Sequence, residues 1–100
     1  MLHIVNKSPY QTRSLESCLR MALPGHAVLL IEDGIYAATS GSPMQASMNQ
    51  AMAQQVKLYA LKPDLEARGM DSRVLPDVAL VDYSGFVDLV SEHPTSNSWL

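Results

Sequence analysis

Four short apolar runs constrain this chain more than any other feature: Leu2 to Val5, Ala27 to Ile31, Val56 to Leu61 and Val78 to Val81. Each has the length of one strand, is rich in Val, Ile and Leu, and mostly lacks the polar alternation that marks a strand with one wet face. Segments with helical spacing lie between them. Strands alternating with helices pair in parallel through crossovers and predict helices on both faces of the sheet. The expected fold is α/β, with three layers in α/β/α order around a mainly parallel sheet of four to five strands. A chain of 100 residues fits a single domain, residues 1–100, whose modest core would gain from oligomerisation.

The connecting segments carry their own start and stop signals. Ser8, Pro9 and Gln11 form an S-x-x-Q capping box with proline at the first helical position, and Thr12 is an equal alternative start. From there Leu15, Cys18, Leu19, Ala22 and Leu23 line one helix face, which Pro24 and Gly25 terminate. Asp33 to Thr39 reads as a short helical piece, residues 40–43 as a Ser-Gly-Ser-Pro break, and Pro43 as the start of a longer helix with Met44, Met48 and Met52 in a row. Lys62, Pro63 and Asp64 open another short helix that ends at Gly69, a natural left-handed cap. After Asp82, the residues Tyr83, Phe86, Val87 and Val90 recur at helical spacing until His93 and Pro94. Trp99 and Leu100 are two large apolar residues at the chain end, to be tied down or used on a partner.

Charge and motif content exclude several classes of function. Seven Lys plus Arg against ten Asp plus Glu leave a net charge of −3, too little basic field to hold a phosphate backbone, so direct binding of nucleic acid is not expected. One cysteine builds no disulfide framework, and with three scattered histidines it offers no metal-ligand spacing. Neither G-x-G-x-x-G nor G-x-x-x-x-G-K-[ST] occurs, which argues against a nucleotide cofactor. Met1 to Lys7 lacks the pattern of a signal peptide, and the longest wholly apolar run, Ala27 to Ile31, is far shorter than the roughly 20 residues of a membrane span. No membrane association is expected, and a cytoplasmic location follows by default.

Cys18 is the strongest nucleophile in the chain. On an apolar helix face it reads as a small core residue, whereas a reactive thiol requires a helix N-terminus, a cation or a metal to lower its pKa. Cys18 lies well inside its helix and Arg20 points to another face, so local sequence does not activate it. Glu32, Asp33 and Gly34 follow the second strand, where α/β sheets bind ligands; a helix cap at Asp33 with Gly34 easing the turn is the preferred reading. Asp82 with Ser84 is read in the same way. His3, His26 and His93 read as surface or terminus residues. The methionine row suits a core, and it also suits a protein partner, as do Tyr36, Tyr59 and Trp99.

Six stretches in order, LHIVNKSP (2–9), SLESCL (14–19), LLIEDGIYAA (29–38), LYALKPDLEARG (58–69), VDYSGFVDL (81–89) and the terminal SWL, resemble the TusB/DsrH family of sulfur-relay proteins. Thr39 to Gln55 matches least. The resemblance implies a DsrE/F/H-like subunit that assembles with DsrE/TusD-like and DsrF/TusC-like subunits into a heterohexamer. Such a complex accepts persulfide sulfur and passes it to a TusE/DsrC-type carrier, either for 2-thiolation of the tRNA wobble uridine or in dissimilatory sulfur oxidation, the branch toward which Cys18 and the stretches around it tilt the resemblance. The main sulfur-carrying cysteine then sits on the DsrE/TusD-type subunit, no cofactor is needed, and this chain is not a complete enzyme. SLESCL is similar to the DsrH branch, in which a first-helix cysteine occurs, so the resemblance makes Cys18 a candidate persulfide carrier, with a partner subunit supplying the missing activation. The alternative is a structural and docking subunit with Cys18 buried.

Overall fold

A computed structural model describes residues 1–99. Five strands, β1 (Leu2–Val5), β2 (Ala27–Leu30), β3 (Lys57–Leu61), β4 (Ala79–Val81) and β5 (Ser96–Trp99), form one all-parallel sheet in the order β4-β3-β2-β1-β5. Four helices, α1 (Ser14–Met21), α2 (Gln45–Ala53), α3 (Lys62–Ala67) and α4 (Tyr83–Glu92), connect them, with a 3-10 helix over Glu32–Ala38 after β2. The α/β reading and its three layers hold. All four residues of β2 are buried, which is why its sequence runs apolar without alternation. Val28 and Leu30 face one side of the sheet, Ala27 and Leu29 the other.

The two faces are covered unequally. The larger core packs Leu15 and Cys18 of α1, Met48 and Ala51 of α2 and Leu65 of α3 against Val5, Val28, Leu30, Leu58 and Ala60. The opposite face has α4 alone: Leu89 is buried against Leu2, Ala27 and Leu29, while Ile4, Ile31, Tyr59, Val81 and Phe86 are only partly covered. This follows from topology. The chain steps outward from β1 to β4, then α4 carries it back across the sheet to place β5 beside β1.

Several local expectations are corrected. The Ser8 capping box does not start a helix: the Ser8 hydroxyl accepts from Tyr10 N–H at 3.1 Å, and its carbonyl accepts from the N–H groups of Gln11 and Thr12. These bonds close a turn, and α1 begins later, at Ser14. The last residues of the chain contain a strand that composition hid, because Ser96, Asn97 and Ser98 are exposed on a sheet edge. The methionine row faces inward: Met48 is fully buried, with Met44 and Met52 packed against the same core, so it serves packing rather than a partner. Gly69, at φ +67°, lies just past α3 in the left-handed region, as its sequence position predicted.

Candidate functional site

Cys18 lies on the inner face of α1 and is wholly buried in the larger core. Burial pushes its thiol up to about 12, with no cation acting against it. The thiolate, which is the nucleophile, is therefore strongly disfavoured at neutral pH. Arg20, two residues on, is exposed and bonds Glu16 at 2.9 Å. The first helix therefore offers Cys18 neither access nor activation within this chain.

The carboxyl ends of β1, β2 and β3 are closed by a polar set that sequence reading divided wrongly. Asp33 does not cap the helix it enters; its carboxylate accepts from Arg68 Nε at 3.0 Å. Capping falls instead to Asp64 at the start of α3, whose carboxylate accepts from Glu32 N–H at 2.6 Å. Glu32 adopts φ +49°, an uncommon left-handed position for a residue with a side chain. Gly34 is required by close approach, because a Cβ there would collide with the carbonyl oxygen of Val5. Beside it, Asn6 holds a buried Oδ1 with no hydrogen-bond partner among the described residues. Spacing between Asp33 and Arg68, 35 residues apart, gave no local signal for this set. Asp82 does cap α4, accepting from Gly85 N–H at 2.8 Å, while Ser84 is exposed in its first turn.

The histidines are corrected most. His3 is buried, and its ring joins two distant residues: Trp99 Nε1–H bonds His3 Nδ1 at 3.1 Å, and His3 Nε2 lies 3.1 Å from His26 Nδ1. Trp99 is thus tied down within the chain; Leu100 lies outside the described residues. His93 follows α4 and is half-buried. Among the described residues no three His, Cys, Asp or Glu side chains gather to hold a metal ion, and no helix is long and apolar enough to cross a membrane.

Exposed large apolar side chains lie around α1, at Tyr10, Met21 and Leu23, and on α4. Tyr83, Val87 and Val90 form an i, i+4, i+7 stripe on the outer side of α4, exposed at 62%, 63% and 45%. Tyr36 and Tyr59, expected at an interface, are instead partly packed on the two cores. The stripe lies on the thinly covered side of the sheet, where a row of exposed apolar side chains suits a contact surface.

Comparison with known proteins places this arrangement. Residues 7–96 match the family described as DsrH like protein. TusB of Pectobacterium parmentieri is 41% identical over 99% of this chain and the whole of that protein, and TusB of Escherichia coli K12 is 37% identical over the same extent. Among solved structures, the ychN protein of E. coli superposes with a TM-score of 0.84 over 97% of both chains at 18% identity, a likeness of fold. With nearly the whole sequence matched end to end, the chain belongs to the TusB/DsrH family.

Proposed function

We propose that this chain is a subunit of a cytoplasmic sulfur-relay complex, assembled with DsrE/TusD-like and DsrF/TusC-like subunits into a heterohexamer that passes persulfide sulfur to a TusE/DsrC-type carrier. Its own part is to complete the assembly and shape the carrier's docking site, not to hold sulfur. The burial of Cys18 carries this reading: a thiol with no exposed surface and a pKa near 12 can neither reach nor attack a donor persulfide. The outer stripe of α4 supports it, since Tyr83, Val87 and Val90 offer a homologous subunit a surface over the thinly covered sheet face. Relatives named TusB favour 2-thiolation of the tRNA wobble uridine over sulfur oxidation as the sulfur's destination. RNA would be met by another protein, because a net charge of −3 gives this chain no basic field.

The test is co-purification with the two partner subunits, incubation with a persulfide donor, and intact mass of each chain. The expected result is a reducible sulfur adduct on a partner cysteine and none on this chain, with the Cys18→Ala complex relaying as the wild type does. An adduct on Cys18, or relay lost from a Cys18→Ala complex that still assembles, would overturn the reading and restore Cys18 as a carrier.

A further inference from the structure

Three rings from the two ends and the middle of the sequence converge on β1. Ring centroids of His3 and His26 are 5.2 Å apart, and those of His3 and Trp99 are 6.1 Å apart. The bonding around them fixes every proton. His26 Nδ1 accepts from the backbone N–H of Leu23 at 3.2 Å, so it bears a lone pair and the contact with His3 must be donated by His3 Nε2–H. His3 Nδ1 is then the ring's acceptor, and it takes the indole N–H of Trp99. The chain runs one way, from Trp99 to His3 to His26, with both histidines neutral.

A proton has only two places to enter, His3 Nδ1 and His26 Nδ1, and both already accept. On His3 it would set N–H against the indole N–H; on His26 it would set N–H against the donors of Leu23 and His3. Either proton severs a link. Groups facing the pair give it no compensation. The N-terminal amine lies close to both rings and His93 close to His26, and among the described residues no carboxylate pairs with either. Strand β5 depends on this chain because Ser96, Asn97 and Ser98 are exposed and contribute little burial, leaving Trp99 as its apolar anchor.

We propose that the Trp99–His3–His26 chain is a proton-controlled latch: with both rings neutral it holds β5 on the edge of β1, and one proton releases the strand while the rest of the sheet stays folded. Release would bare the outer backbone edge of β1. Because Trp99 is the only tryptophan, its fluorescence reports the latch directly, and hydrogen exchange of the Ser96–Trp99 amides reports the strand.

Both are followed in the full chain from about pH 8 to about pH 5, which brackets histidine titration. The expected result is a red shift of Trp99 emission and, after correction for intrinsic rates, exchange at β5 that rises on the order of tenfold per pH unit, with β2 and β3 still protected. His3→Gln retains a donor and an acceptor but cannot titrate, and should weaken both responses, which the double variant His3→Gln/His26→Gln should flatten; His93→Gln should leave them in place. Should His3→Gln fail to fold, His26→Gln asks the same question, since its amide oxygen can accept both N–H groups. A flat profile in the wild type, an unchanged profile in the glutamine variants of His3 and His26, or simultaneous loss of protection across the whole sheet would overturn the latch.

Discussion

At the scale of single residues, four positions decide how the chain behaves. Cys18 is held as a core atom, so iodoacetamide should not modify it in the native chain and should do so fully in urea; rapid labelling of the folded chain would contradict its burial. Replacing it by Ala deletes one buried sulfur and should cost about 1 kcal/mol, read from the denaturation midpoint. Gly34→Ala should cost more, about 3 kcal/mol, because the new methyl must displace the Val5 carbonyl rather than a flexible side chain. His3 and His26 are shifted below the ordinary histidine value of 6.5, first by burial. The unfolded chain therefore binds more protons below pH 6.5, so their contribution to stability is intact above that pH and is lost as pH falls through the window beneath it. Urea midpoints measured either side of pH 6.5 should fall on the acid side, and His3→Gln should reduce the slope. Sequence alone placed Cys18 on an apolar face correctly, but it read the histidines as surface residues. A buried histidine bonded to residues 23 and 96 positions away leaves no periodic trace.

At the scale of elements, legibility followed burial. Strands β1 to β3 were readable because both their faces are largely covered and their runs of Val, Ile and Leu say so, whereas β4 was readable from its apolar run although Ala79 and Leu80 are exposed at the sheet edge. Strand β5 was not, because an edge strand with exposed Ser and Asn is held by backbone pairing and one indole. Of the two starts offered for α1, Thr12 lies within two residues of the observed one at Ser14, whereas Ser8 spends its hydroxyl and carbonyl on a turn that the same capping residues also favour. Asp82 capped α4 as its position predicted, whereas Asp33 was taken by an arginine on another element. Helix α4 also has apolar residues on two sides, and only one side meets the sheet. Val87→Asp, on the exposed side, should leave the thermal midpoint of the isolated chain nearly unchanged and abolish co-purification with the partner subunits. Retention of the complex by this variant would remove α4 from the interface.

At the scale of the whole molecule, the sheet has one face packed by three helices and one face packed by a single helix whose outer stripe is apolar. That asymmetry, more than any catalytic constellation, describes a chain made to be part of something larger. Its lone thiol is sealed on the well-covered side, away from the exposed stripe of α4. The candidate site was legible only as a choice between two roles for Cys18, because sequence gives the helix face and not the depth beneath it. Relay by the proposed complex, reconstituted with its partner subunits and measured as sulfur delivered to the proposed carrier with Cys18→Ala in place of the wild-type chain, tests this most directly. Delivery at the wild-type rate from an intact assembly is the predicted result; delivery abolished with the assembly intact would contradict it.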